Sequence, residues 1–267
     1  MNAHVHRDDF GSKLGMWLFL VTEMVLFGGL FIAYSYMRHR YPTEFHHGGA
    51  ELDVTLGVIN TLVLLTSSLT VVLCIVATQR GEIKRAMAFL GTTVGLGAAF
   101  LVIKSFEWAA EFHHGGAELD VTLGVINTLV LLTSSLTVVL CIAATQRGEI
   151  KRAMAFLGTT VGLGAVFLVI KSFEWAAKFH HGIYPSSAHL ATLPPGEQVF
   201  FGLYFSITGL HGLHVIAGMG VLSWVLWMMS RGQVRADRYI HLENGGLYWH
   251  LVDVIWIYLL PLFYLAA

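Results

Sequence analysis

Seven apolar stretches govern what this chain can become. They lie near residues 14–37, 54–79, 86–108, 121–146, 153–175, 197–229 and 246–265. Each supplies the roughly 20 helical residues that cross about 30 Å of hydrocarbon. Oil offers no hydrogen bonds, so a crossing segment must satisfy its own backbone, which an α-helix does within one segment. Charged residues make up only 12% of the chain, about half the usual share of a soluble domain. The expected fold is an all-α integral membrane protein: one embedded domain over residues 1–267 with seven transmembrane helices. Short connections make sequence neighbours antiparallel neighbours. A net charge of −1 leaves no electrostatic footprint for a nucleic acid.

Basic residues predict the orientation. Arg7 and Lys13 precede the first stretch, and Arg80, Lys84, Arg85, Arg147, Lys151, Arg152, Arg231, Arg235 and Arg238 follow the second, fourth and sixth. The opposite connections hold only Arg38, Arg40 and Lys178. The positive-inside rule then gives a cytoplasmic N-terminus and an outer C-terminus. The leading MNAHVHRDDFGSK lacks a signal-peptide core and carries acids that a mitochondrial presequence avoids. A bacterial cytoplasmic membrane is the simplest expectation, with an organelle-encoded protein as the alternative.

Residues 44–110 recur as 111–177, with two differences, Val76/Ala143 and Ala99/Val166. Such near-identity marks a recent duplication. The string FHHG begins at Phe45, Phe112 and Phe179, and unequal exchange between the first and the last would generate the repeat. One copy holds two helices, so its insertion leaves everything downstream on the same side of the membrane. Without it five helices remain. Cys74 and Cys141 are equivalent positions of the repeat and read as small buried residues rather than a disulfide.

The sixth stretch carries a polar face. Tyr204, Thr208, His211, His214 and Gly218 recur at helical spacing, and Gly202, Ser206 and Gly209 form a second face of small residues. Neither suits lipid, so this helix is expected inside the bundle. Glu23 sits among apolar neighbours, where an unpaired carboxylate costs about 2.5–3.5 kcal/mol, and so needs a partner. His250 and Asp253 share a face of the last helix, with Glu243 near its entry. Glu23 lies roughly 13 Å and Asp253 about 10 Å along their helices, so the two could meet. Asp253 and His250 are otherwise expected to network with the polar stripe. His211 and His214 are expected to be packing histidines satisfied by hydrogen bonds. A metal reading would draw on His250 and Asp253, but the Glu-x-x-His pairs of di-iron bundles are absent, and no metal site is expected.

Lys104 with Glu107 and Lys171 with Glu174 are i,i+3 pairs near outer helix ends, followed by Trp108 and Trp175. They read as interfacial anchors with weak ion pairs, with lipid-headgroup binding as the alternative. Asn60, Asn127 and the TSS runs at 66–68 and 133–135 suit helix–helix hydrogen bonds. Pro261 should free the carbonyl of Ile257 and bend the last helix. No P-loop, GxSxG, GxGxxG or HExxH motif is present.

Five strings, KLGMWLFLVTEMVLFGGLFIAY, INTLVLLTSSLTVVL, IKSFEWAAKFHHGIYP, FFGLYFSITGLHGLHVIAG and GLYWHLVDVIWIYLLPLFYL, resemble subunit III of haem–copper oxidases. They come in that family's order and cover nearly all of the chain. The bacterial short form of that subunit has five helices, and longer relatives add a pair before the first helix seen here, so the duplicated hairpin is a departure. The resemblance implies a non-redox subunit of cytochrome c oxidase, a proton-translocating oxidoreductase, with no catalytic centre and no cofactor in this chain. Oxygen reduction and pumping would belong to subunit I, with haem and copper held by partner subunits, subunit II included. This chain would stabilise subunit I, hold phospholipids in a cleft and help sustain proton uptake. Glu23 matches a position where the family keeps a carboxyl near that cleft and the uptake side. A quinol oxidase subunit III and a nitric-oxide-reductase-associated relative are near alternatives. From another class, a proton-coupled transporter would use Glu23, Asp253, His211 and His214 as one relay.

Overall fold

The computed structural model describes residues 9–48, 118–180, 182–260 and 262–263, with isolated positions at 66, 70, 85, 88–89, 91–92 and 95–96. Among the described residues the regular structure is helical, apart from one bridge between Arg235 and Arg238. The helices are α1 (Asp9–Arg40), α2 (Pro42–Gly48), α3 (Glu118–Gln146), α4 (Ile150–His180), α5 (Pro195–Ser230) and α6 (Ile240–Leu260). Four of them contain segments long and apolar enough to cross a membrane: Asp9–Arg40, Ile126–Gln146, Ile150–His180 and Pro195–Ser230. The expected spans at 54–79 and 86–108 lie outside the described residues, save for those isolated positions, as does Pro261.

Two glycines set the ends of α3 and α5. Gly148 and Gly232 take positive φ values of 75° and 69°. Around each, two backbone N–H groups reach back to the last turn: Gly148 to Thr145 and Glu149 to Ala144, Gly232 to Met229 and Gln233 to Met228. Carbonyls that would otherwise end bare are satisfied at these closures. At the other end of α5, a proline in the first turn fits where no intrahelical N–H is needed.

Helices α3 and α4 form an antiparallel hairpin. It packs through α4 on α5 and through α3 on α6, and α5 packs on α6, closing a ring of four. Helix α1 lies against α5 and α6, and the short α2 against α5. Within the hairpin, the hydroxyls of Thr137 and Thr160 bond at 2.8 Å. Helix α6 starts six residues earlier than the apolar stretch suggests, because its first turn is polar and clamps α1. There Glu243 pairs with Lys13 at 2.8 Å, and the amide of Asn244 donates to Ser12 Oγ at 3.0 Å. Helix α6 carries two acids, Glu243 and Asp253, among its apolar and aromatic residues. Its shelter is protein, with Trp249, Val252, Trp256, Leu259 and Leu260 fully buried.

The ring closes around Trp249. A Cβ on Gly164 of α4 would lie 2.8 Å from the Trp249 ring, and a Cβ on Gly218 of α5 would lie 2.8 Å from it too. Its indole N–H donates to Ser134 of α3 at 2.9 Å. Two turns on, Trp256 donates to Thr128 Oγ1 at 3.0 Å and meets Phe167 edge-on at 4.8 Å. The stripe of α5 is the buried face foreseen: Tyr204, Thr208, His211 and Gly218 are buried. The second face is only partly an interface. Gly209 meets Trp175, whereas Gly202 faces open space and Ser206 is exposed. The close approach is made by Gly218, on the polar stripe itself.

Gly218→Leu is expected to drive a side chain into Trp249 and cost about 1–3 kcal/mol, read as a lower thermal-unfolding midpoint in detergent. Gly212→Ala, where nothing lies within 4 Å, should leave the midpoint unlowered.

Candidate functional site

Three polar clusters occur among the described helices, one buried and two part-buried. The first joins α1 to α5. His214 Nε2 lies 2.8 Å from Glu23 Oε2, and His214 Nδ1 lies 2.7 Å from the carbonyl of Leu210. The carbonyl can only accept, so Nδ1 carries its hydrogen. Nε2 then either accepts a proton from a neutral Glu23 or donates one to an ionised Glu23. One proton is shared, and the pair is neutral overall in both forms. Phe27 covers the imidazole edge-on at 5.2 Å, and the Tyr248 hydroxyl donates to the His214 carbonyl at 3.3 Å.

The second cluster joins α3 to α6. His250 Nδ1 lies 2.8 Å from Ser135 Oγ, whose hydroxyl donates to Asp253 Oδ2. With Ser135 donating to Asp253, Nδ1–H of His250 supplies the other bond. The remaining Asp253 oxygen, Oδ1, is buried without a hydrogen-bond partner.

The third joins α4 to α5. Lys171 Nζ donates to both oxygens of Glu174 at 2.9 and 3.0 Å and to the Tyr204 hydroxyl at 3.0 Å. Tyr204 in turn donates to Glu174 Oε1. The ammonium also lies 5.0 Å from the Tyr204 ring and 5.3 Å from that of Trp256. A buried ion pair survives when further hydrogen bonds satisfy its remaining lone pairs and protons, and Tyr204 supplies them.

These positions revise several expectations. Lys171 and Glu174 do pair, but not at an exposed interface: they are 6% and 1% exposed. Helix α4 continues six residues past Glu174, about 9 Å, so the pair sits well inside the helix end. Trp175 packs on Phe205 at 5.4 Å, with its N–H unpartnered. Lys104, Glu107 and Trp108 lie outside the described residues. Glu23 and Asp253 do not pair with each other. Counted from the Lys13–Glu243 clamp they are equally deep, ten residues or about 15 Å, but Asp253 faces α3 and Glu23 faces α5. Asp253 and His250 accordingly bond Ser135, not the stripe of α5.

His214 is a hydrogen-bonded histidine as expected, whereas His211 is not. Both its ring nitrogens are buried without hydrogen bonds, the ring stacked on Trp256 at 5.2 Å and edge-on to Phe167 at 5.6 Å. Asn127 is likewise buried with its amide unbonded, while Ser134 and Ser135 make the inter-helix bonds. Among the described residues no three of His, Cys, Asp and Glu converge on a metal position. Ser134 and Ser135 make the helix–helix bonds expected of the TSS run, whereas Thr128, the partner of Trp256, carried no signal in the sequence.

Glu23→Gln can still donate to His214 Nε2 and should keep stability within about 1 kcal/mol, whereas Glu23→Leu strands the imidazole and should cost about 1–3 kcal/mol. Thermal unfolding of the detergent-solubilised protein compares the two. Lys171→Met alone should be strongly destabilising, by about 3–5 kcal/mol, while Lys171→Met with Glu174→Leu should recover much of the loss. The same melting experiment separates these outcomes.

The sequence profile described as cytochrome c oxidase subunit III matches residues 117–267. Cytochrome c oxidase subunit 3 of Thermostichus vulcanus is 30% identical over 178 residues, 65% of this chain and 79% of that protein. The same subunit of Alkalihalophilus pseudofirmus is 30% identical over 203 residues, 71% of this chain and 91% of that one. Cytochrome bo(3) ubiquinol oxidase subunit 3 of Pseudomonas aeruginosa is 25% identical over 268 residues, 99% and 89% of the two chains. The profile begins one residue before α3 and runs through the hairpin, both helices packed on it and the last residue, so the chain belongs to the cytochrome c oxidase subunit III family.

Proposed function

We propose that the chain serves, as subunit III, a terminal oxidase of the bacterial cytoplasmic membrane, whose subunit I, assembled with subunit II, reduces oxygen and pumps protons. In this reading it spans the membrane seven times, with its N-terminus in the cytoplasm and its C-terminus outside. The observation that carries it is the internal pairing of Glu23, Asp253, His250, Lys171 and Glu174. Glu23 is matched to His214, Asp253 and His250 each to Ser135, and Lys171 to Glu174 and Tyr204. Groups matched in this way steady a bundle and can hold a proton. They leave no convergent set of ligands among the described residues for an electron-transfer centre.

The Glu23–His214 pair is the position best suited to support proton uptake, since one proton can shift between its two forms without creating net charge. The apolar face of α1, with Trp17, Leu18, Met24 and Val25 exposed, suits phospholipid chains. A relay running through Glu23, His211, His214 and Asp253 would serve a proton-coupled transporter. That reading is disfavoured because Glu23 and Asp253 bond to different helices and His211 bonds to neither. Cytochrome c is the donor favoured by the names of the first two relatives, and a quinol by that of the third.

Purification in mild detergent is expected to bring down a haem-bearing polypeptide, with a haem spectrum in the complex and none in this chain once separated. Oxygen consumption with reduced cytochrome c, against a quinol, identifies the donor. Recovery of the chain without any haem protein, together with solute uptake driven by a proton gradient in vesicles, would contradict the proposal.

A further inference from the structure

Polar bonds hold α1 to α5 and α6 at three levels. At one end Lys13 pairs with Glu243, and Asn244 donates to Ser12. Toward the other end the Tyr34 hydroxyl donates to the carbonyl of Leu262 at 2.6 Å. Between them, among the described residues, stands the bond of Glu23 to His214. The apolar side chains of α1 mostly face away. Only Leu20, Phe27 and Tyr34 are buried, while Trp17, Leu18, Met24, Val25 and Ile32 are exposed. Lipid accommodates an apolar face as well as protein does, so the middle of α1 is positioned by that one polar bond.

The bond needs a proton. His214 Nδ1 is committed to the Leu210 carbonyl at 2.7 Å, and Nε2 meets Glu23 Oε2 at 2.8 Å. Whether Nε2 accepts from a neutral carboxyl or donates to a carboxylate, one proton lies between the two atoms. Withdraw it, and a lone pair on Nε2 faces the lone pairs of a carboxylate. Moving the Nδ1 hydrogen to Nε2 would restore the bond to Glu23 but set a bare Nδ1 against the Leu210 oxygen. The ring cannot serve both partners without the extra proton.

No neighbour among the described residues supplies a substitute. Glu23 is the only charged residue of α1 between Lys13 and Arg38. Two titratable side chains on the helices packed here feel the pair electrostatically, Tyr248 of α6 and His211 of α5. The Tyr248 hydroxyl is bonded to the backbone carbonyl of His214, and His211 makes no hydrogen bond.

We propose that the pair is a proton-controlled latch: the middle of α1 docks on α5 while one proton is bound between Glu23 and His214, and parts from it when that proton is withdrawn. The fasteners at the two ends keep α1 attached, so release opens the bundle at the level of the pair and reverses when a proton returns. Proton occupancy is thereby converted into the position of a helix. The latch follows from the bonding of one imidazole and does not rest on the oxidase reading.

The test uses the full chain in its detergent-purified complex, carrying Cys74→Ala, Cys141→Ala and Leu20→Cys. Leu20 lies one turn from Glu23 and is 5% exposed, so a thiol there reacts with a maleimide when α1 lifts. The same protein with Glu23→Gln is the reference, because the amide can donate to Nε2 or accept from it and keeps the latch shut at any pH. Both carry the same thiol, so the ratio of their labelling rates removes the titration of the thiol itself. The latch predicts that the ratio of native pair to reference rises at least about fivefold from acid to alkaline pH. A carboxylate one turn away disfavours the reactive thiolate and so cannot mimic that rise. A ratio constant within about twofold across the series overturns the proposal.

A second measurement needs no cysteine. The thermal-unfolding midpoint of the complex with the native chain should match that of Glu23→Gln at acid pH and fall at least about 2 °C below it at alkaline pH. Parallel curves overturn the proposal and assign the shared pH dependence to groups that both proteins keep, such as the Lys13–Glu243 clamp.

Discussion

An indole held between two glycines sets the level at which four helices meet. Trp249 needs the flat surfaces of Gly164 and Gly218 on either side and the hydroxyl of Ser134 for its N–H. In a bilayer the apolar bulk of a side chain gives helices little reason to prefer one another over lipid, so association rests on close packing and on bonds between polar groups. Trp249 uses both. Trp256 repeats the arrangement two turns along, with Thr128 for its N–H and Phe167 and His211 against its faces and edges. The remaining contacts of α6 with α3 follow from this register, including the one that places Ser135 between His250 and Asp253.

With the helices so placed, Glu23, Asp253 and Lys171 each find a companion, whereas His211 is left among aromatic rings. His214 turns its free nitrogen toward α1 because the other is committed to Leu210. Glu174 collects the Lys171 ammonium and the Tyr204 phenol in one closed set. These are arrangements of a protein whose polar interior steadies a shape. Membership of the subunit III family places such a chain beside other oxidase subunits, and the clusters account for how its described helices keep acids in oil.

Much of this was legible in the residues. The apolar stretches mark the long helices because oil forbids any other arrangement of a single segment, and the stripe of α5 is buried as its spacing implies. The start of α6 was not legible, since Ile240–Gly245 is too polar to read as span. It became helix because Glu243 and Asn244 reach Lys13 and Ser12. The site was legible as a set of residues but not as pairs. Counting along the helices puts Glu23 and Asp253 at similar depths, and the Lys13–Glu243 clamp makes them equal; which way each faces follows from packing. Lys171 and Glu174 looked like an interfacial pair because nothing in their own helix announces Tyr204 across the gap. His211 looked like a hydrogen-bonded histidine, yet aromatic rings occupy its surroundings.

Carboxylates inside this bundle are sheltered by partners within the same chain. A double-mutant cycle on Glu23→Leu and His214→Leu, read as the unfolding free energy of the assembled complex in detergent, tests it most directly. Contact predicts a coupling of about 0.5–3 kcal/mol between the two sites, the double variant losing less than the singles combined. Strict additivity would contradict this, because it would leave the part-buried Glu23 with no companion.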